Sequence, residues 1–175
     1  MTEWNHDKDW SDKYLTSVKE ILGRLLIGPA PIEDDQKRNT DLIVLKMDAV
    51  RIGCRIRRFH HYARYGEQFT VRSERPSGTK TELAKIIEGW GDYLFYAFAA
   101  HEGPILHAWT LIDLRAFRLW LSRQLVRNKG VLPGALIPNT DGSSEFRAFH
   151  LSDVDPPVIK ERMVPYDAKP LQVSA

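Results

Sequence analysis

A single cysteine, Cys54, stands in 175 residues, so no internal disulfide is available and stability has to come from a packed core. No stretch approaches the roughly 20 consecutive apolar residues that a membrane-spanning helix needs. The opening residues, MTEWNHDKDW, are polar and partly acidic and lack the charged-then-apolar layout of a secretory signal. These absences predict a cytoplasmic protein without a membrane partner. Also missing are a GxxxxGK[ST] phosphate loop, a G-x-G-x-x-G turn, a G-x-S-x-G elbow and any cysteine–histidine spacing suited to zinc. No internal repeat and no low-complexity tract interrupts the chain.

What is present is an uneven distribution of charge beneath a net charge of +2. Residues 1–41 carry nine acids against six bases. Residues 51–85 reverse the sign, with nine bases (Arg51, Arg55, Arg57, Arg58, Arg64, Arg72, Arg75, Lys80 and Lys85) against three acids. Such a concentration predicts an anionic partner, the alternative being a solvated charged face. Seven of the nine bases are arginine, whose planar fork matches phosphate oxygens in pairs. Arg55, Arg57, Arg58, Arg72, Arg75 and Lys80 are the candidate nucleic-acid contacts, with DNA the favoured form.

The chain is long enough for one well-filled core. Periodicity predicts a helix from Ser11 to Ile27, with Leu15, Val18, Leu22 and Leu25 on one face, Ser11 as its cap and Gly28-Pro29 as its stop. A hairpin follows, with strands at 41–47 and 51–57 and a turn near Asp48-Ala49. In its second strand Ile52, Cys54 and Ile56 alternate with Gly53, Arg55 and Arg57. A third strand covers 69–73, completing a meander.

A helix over 80–91 is expected to start with a Thr79–Glu82 capping box and to present Leu83, Ile86, Ile87 and Trp90 on one apolar face. Strands at 93–99 and 107–112 and a helix over 114–127, capped by Asp113, close the pattern. Trp90, Trp109 and Trp120 read as packing residues, while Trp4 and Trp10 are suited to staple the N-terminus to the body. Adjacent His60 and His61 are expected to point apart, and Cys54 reads as a core residue. The fold class is thus α/β: one mixed central sheet of about five strands flanked by helices, in the order αβββαββα. The division is an α/β domain over 1–129 and a proline-containing C-terminal extension over 130–175, packed on that domain or trailing from it, and available to a protein partner.

Several residues carry a family resemblance. They are Thr40-Asp41 at a strand start, the hairpin after it, and Arg55-Ile56-Arg57 near the end of the second strand. GWGDYLFYAFA followed by HAWTLIDLRAFRLWL adds a closing helix–strand–strand–helix. Over about residues 11–127 this order resembles the PD-(D/E)XK nuclease-like superfamily, the fold of restriction enzymes and archaeal Holliday-junction resolvases. The run FTVRS…SGTKTELAKIIEGWGDY is similar to a branch found in phages and prophages. The resemblance implies a restriction-endonuclease-like scaffold acting on nucleic acid. It also implies a divalent metal, Mg²⁺, held by an aspartate at the first strand and by an acid-x-lysine triplet on the second.

Asp41 matches the first aspartate in position, and is the candidate metal ligand and catalytic residue. The triplet departs from the family pattern, because Arg55 stands at the acid and Arg57 at the lysine. A guanidinium has no lone pair to give a metal. A rearranged site therefore needs a migrated carboxylate, and Glu82, Glu20 and Glu67 are the candidates. Glu82 is paired with Asp41 in the nuclease reading. Three functions follow: nucleic-acid binding on a nuclease-like scaffold, a Mg²⁺-dependent endonuclease with a rearranged site, and a phage protein that binds and inhibits a host protein.

Overall fold

The structure, a computed structural model, describes residues 3–29, 42–44, 50–139 and 142–165, with the backbone alone for 3–5, 7, 25–29 and 42–44. Asp41, most of the expected strand at 41–47 and its turn at Asp48-Ala49 lie outside the described residues. The chain is α/β. Its main sheet has four strands, flanked by helices on both faces, and a three-stranded sheet packs beside it.

The centre of the main sheet is β5 (Tyr93–Ala99), where six of seven residues are buried. Near-continuous burial requires cover on both faces, and its alternate residues show where each cover comes from. Leu94, Tyr96 and Phe98 enter one core cluster, Phe95, Ala97 and Ala99 the other. The second cluster is closed by Val18 of α2 (Leu15–Leu26) and by Tyr14 in the turn before it. The first is closed by α4 (Glu82–Ile87), α5 (Leu114–Arg127), and the strands β4 (Gln68–Glu74) and β8 (Glu145–His150). Phe69, Phe117, Trp120 and Phe149 meet there with ring centroids 5.0–5.9 Å apart.

β3 (Ile52–Arg57) lies along β5 in parallel, in register from Ile52↔Tyr93 to Arg57↔Phe98. This corrects the expected hairpin. Three residues of its first strand, β2 (Leu42–Val44), pair instead with β1 (Ile27–Pro29) in a separate antiparallel ribbon. A six-residue register against a strand buried on both faces offers β3 more than a short local turn does. Parallel pairing also needs a long crossover. Here it runs through a 3₁₀ turn (Phe59–His61), α3 (Tyr62–Tyr65), β4 and α4.

β4 does not continue a meander either. It belongs to the three-stranded sheet, order β4-β8-β7, with β7 at Ala135–Pro138. The main sheet runs β3-β5-β6-β9, with β6 at Leu106–Asp113 and β9 at Ile159–Met163. Residues 135–163 thus supply strands to both sheets. Their prolines sit where no ladder donor is needed: Pro138 ends β7, and Pro156-Pro157 open a 3₁₀ turn. Gly134 makes the approach possible, because a Cβ there would lie 2.6 Å from the Ala148 carbonyl oxygen, at φ +86°.

Two helices differ from their expected forms. The N-terminal one is split, with α1 at Glu3–Asp12 preceding α2 across a turn at residues 13–14. Ser11 therefore sits in the last turn of α1, its hydroxyl donating to the Lys8 carbonyl at 2.9 Å, rather than capping a start. The cap of α4 is Thr81, not Thr79, and its Oγ1 accepts from Ala84 N at 3.3 Å. Asp113 caps α5 as expected, its Oδ1 accepting from Arg115 N and Ala116 N, each at 2.9 Å.

Candidate functional site

The alternation of β3 separates its side chains as expected: Ile52 and Ile56 join the core under α2, while on the other face Arg55 reaches β4 and α4 and Arg57 reaches Tyr96 and Tyr65. On that side a network of the protein's own groups receives them. Arg55 Nη2 donates to Glu82 Oε2 at 2.6 Å, and its Nη1 donates to Thr70 O at 3.3 Å and Thr70 Oγ1 at 3.4 Å. Its guanidinium lies 5.2 Å from the Phe146 ring centre, as does that of Arg72. The Arg72 backbone N–H also donates to Glu82 Oε2, at 3.1 Å. Arg57 donates to the Tyr96 hydroxyl at 3.3 Å and lies 5.3 Å from the Tyr65 ring centre. Arg58 stacks over Trp10 at 4.7 Å, joining α1 to the end of β3.

The fate of Glu82 follows from its place at the first turn of α4. Its carboxylate does not reach back as a capping box would. It bridges Arg55 and the Arg72 backbone, tying α4 to β3 and β4. These surroundings do not fit Mg²⁺, which needs several hard oxygen ligands. The nearest charged neighbour of this carboxylate is a guanidinium, which repels a cation and has no lone pair to give it. Glu67 pairs with Arg162 on β9. Glu20 is exposed on α2, across the main sheet from Glu82. Among the described residues no three His, Cys, Asp or Glu side chains converge on a metal position.

Beside this network the surface opens. A cavity of about 410 Å³ lies between β3, the start of β5 and α4. Its floor is apolar, with Ile86, Tyr93, Leu94 and Leu114. Its rim carries Arg55, Arg72, Arg75, Lys80 and Lys85 against the single acid Glu82, with Thr79 and Thr81 between them. A second cavity of about 460 Å³ shares Arg72 and Arg75 with the first and continues past Pro76, Ser77 and residues 142–144. Ser144 lines it, with its hydroxyl buried and without a hydrogen-bond partner among the described residues. The two cavities form one basic groove with Arg72 and Arg75 at the join.

The groove cations differ in how freely they can serve a ligand. Arg75 and Lys85 make no side-chain hydrogen bond or ion pair within the described residues. Lys80 is 2.6 Å from Glu88, but both side chains are about half exposed, and such pairs contribute roughly 0–1 kcal/mol. A phosphate can displace that partner at little cost.

Trp90 stands at the same rim and is 62% exposed, which corrects its expected role as a core or half-buried packing residue. α4 stops at Ile87, and Gly89 and Gly91 take φ of +95° and +78°. The expected apolar face therefore divides, with Leu83 and Ile86 buried and Ile87 and Trp90 outside. Trp90 and Lys85 are the groove residues that pattern alone misses. The signal available was Gly89-Trp90-Gly91, since flanking glycines mark a turn and a turn presents its middle side chain outward.

A second polar cluster surrounds the 3₁₀ turn. His60 and His61 have ring centroids 4.1 Å apart, so they do not point apart as expected, because a 3₁₀ turn does not alternate side chains as a strand does. Burial, with Arg57 nearby, pushes the His61 pKa down, and burial does the same to His107, which packs against Phe59 and Tyr62. Cys54 is exposed on the edge strand rather than enclosed in the core, although partial burial of its thiol still raises its pKa. No helix among the described residues is long and apolar enough to cross a membrane. Comparison with protein-family models, curated proteins and solved structures finds no match.

Proposed function

We propose that the protein binds nucleic acid, DNA being the favoured form, along the basic groove that runs from the rim of α4 past Arg75 to residues 142–144. The observation that carries this reading is the pair of adjoining cavities sharing Arg72 and Arg75, with Arg75 and Lys85 at the rim making no side-chain bond among the described residues. Phosphate contacts supply most of the non-specific affinity of such proteins. A groove longer than one phosphate, with cations spaced along it, suits a backbone better than an isolated anion. Arg55 and Arg57 act from behind: by holding Glu82, Thr70 and Tyr96 they set the wall on which Arg72, Lys80 and Lys85 stand.

The scaffold we assign is nuclease-like. Its support is the run α4–β5–β6–α5, which stands in the order that the resemblance implies, on a mixed sheet with helices on both faces. Binding without cleavage is the reading favoured by Glu82, whose carboxylate serves Arg55 and the Arg72 backbone and is not free for a cation. A nucleic-acid partner fits a cytoplasmic location.

The test is a titration of a labelled DNA oligonucleotide over a range of salt. We expect affinity to fall steeply as salt rises, because bound counterions are released. Arg75→Ala and Lys85→Ala should each weaken binding and flatten the salt slope by about one. Absence of binding at low salt, or binding indifferent to salt, removes the proposal. Incubation with Mg²⁺ or Mn²⁺ serves as the second arm, and cleavage lost in Asp41→Ala would establish the nuclease reading instead.

A further inference from the structure

We infer that the groove takes a single strand, with one unpaired base stacked on Trp90; this deepens the nucleic-acid reading and rests on it. The indole is 62% exposed and lines the same cavity as Lys85 and Arg75. Exposed tryptophan is costly to leave in water, and here the backbone holds it there. Gly89 N donates to Ile86 O and Trp90 N donates to Lys85 O, each at 3.0 Å. On the far side Gly91 is pressed against Leu114, where a Cβ would meet Cδ1 at 3.1 Å. The ring is thus presented by a defined turn rather than carried on a loose loop.

Beside it the cavity has an apolar floor and a cationic rim, the division that a nucleotide itself has between base and phosphate. A volume of about 410 Å³ lies within the usual range for small-ligand sites, roughly 300–1,000 Å³. A base lying on Trp90 and over Ile86 and Leu94 leaves its phosphate at the Arg75–Lys85 rim. Arg75 also faces the second cavity, so the next phosphate has a cation and the hydroxyl-bearing stretch Ser143-Ser144 along its path. In a duplex the base faces are stacked on each other and cannot reach the indole. Stacking a base on an aromatic side chain tolerates every base, because each has a π-face.

The experiment compares three labelled probes of equal length at low salt: single-stranded oligothymidylate, an abasic strand with the same backbone, and a duplex. Wild type is expected to bind oligothymidylate about tenfold more tightly than the abasic strand, the scale of one stacked base. Trp90→Ala should lose about that factor on oligothymidylate and nothing on the abasic strand. Trp90→Phe should keep most of the affinity. An exposed side chain is replaced here, so an unchanged urea midpoint for both variants establishes that folding is intact. Equal binding of oligothymidylate by wild type and Trp90→Ala, with the salt dependence retained, overturns the stacking inference and leaves the groove reading in place; an indole that docks a protein instead gives this result. Binding of none of the three probes, or binding that ignores salt, overturns both.

Discussion

Arg55 and Arg57 come from the same basic stretch of sequence as Arg75, Lys80 and Lys85, yet the protein uses the two groups differently. The first two lie along β3, where carboxylate, hydroxyl and ring partners from other elements surround them. The last three lie beyond the strands, on the connection into α4 and on α4 itself, and face the groove. A cation held on three sides is part of the framework, and its removal strands the groups it serves. A cation facing solvent is available to a ligand, and its removal leaves at most an exposed carboxylate, as Lys80 leaves Glu88. Charge density along a sequence records both kinds alike. Which strand face turns inward, and what meets it there, separates them.

Substitution on the engaged side should produce the largest effect on folding. Glu82→Ala leaves the Arg55 guanidinium without its carboxylate and the Arg72 N–H without its acceptor, both in a partly buried layer. Hydrogen bonds to charged groups contribute about 1.5–3 kcal/mol, so a loss of about 2 kcal/mol in the urea-derived stability is expected. Arg55→Ala should cost a similar amount, and the double variant less than the two added together, because the pair is shared. Additive losses would mean that Arg55 and Glu82 act independently, and would move Arg55 to the ligand-facing group.

The reverse pattern is expected on the open side. Arg75→Ala and Lys85→Ala should leave stability within about 0.5 kcal/mol, the usual range for surface substitutions. Each should still weaken DNA binding in proportion to a lost phosphate contact, and equally across sequences. The readouts are the urea midpoint and an anisotropy titration on the same preparations. A stability loss of the size seen for Glu82→Ala, or unchanged binding in both variants, would erase the distinction between the two groups.

This division was only partly legible in the sequence. The inward alternation of Ile52 and Ile56 against Arg55 and Arg57 could be read from period two, and so could the central position of Tyr93–Ala99 from its unbroken apolar run. Partners distant in the chain could not. Nothing near Arg55 announces Thr70, Glu82 or Phe146, which lie 15, 27 and 91 positions away. The parallel pairing of β3 with β5 was hidden for the same reason, since local pattern favours hairpins over crossovers. The prolines after Gly130 concealed three strands, because proline depresses strand propensity even where it merely ends one. Trp90 was assigned inward because a helical period continued through it, whereas Gly89 and Gly91 had already ended the helix.

An intermediate effect is expected where the engaged arginines meet the hydroxyl network. Tyr96→Phe removes the acceptor for Arg57 and the partner of Thr70 Oγ1 while keeping the ring in the core. A neutral hydrogen bond nets about 1 kcal/mol and one to a charged group about 1.5–3 kcal/mol. Thr70 Oγ1 keeps Arg55 as a partner, so a loss of about 1–2 kcal/mol should appear in stability, with no change in the salt slope of DNA binding. A changed slope would show that Arg57 reaches the ligand.

The smallest effect is expected from pH, and it locates the boundary between the two groups at the end of β3. Burial, and for His61 the neighbouring Arg57, Arg58 and His60 as well, holds the pKa of both His61 and His107 below the ordinary histidine value in the folded state. The unfolded chain takes up these protons first, near pH 6.5. Each histidine therefore contributes fully above that pH, and the contribution declines as pH falls toward the folded pKa. Below both values nothing further is lost from this source. Carboxylates begin to titrate only near pH 5, so the window from pH 7 to about pH 5.5 isolates the histidines. Urea midpoints across that window should fall modestly in the wild type and less in His61→Gln and His107→Gln. In Arg57→Ala the decline should also shrink, since a charge that opposes protonation of His61 is gone, whereas Lys85→Ala should follow the wild type throughout. A wild-type midpoint that is flat or rises on acidification would show that these histidines are as free to protonate in the fold as in the unfolded chain.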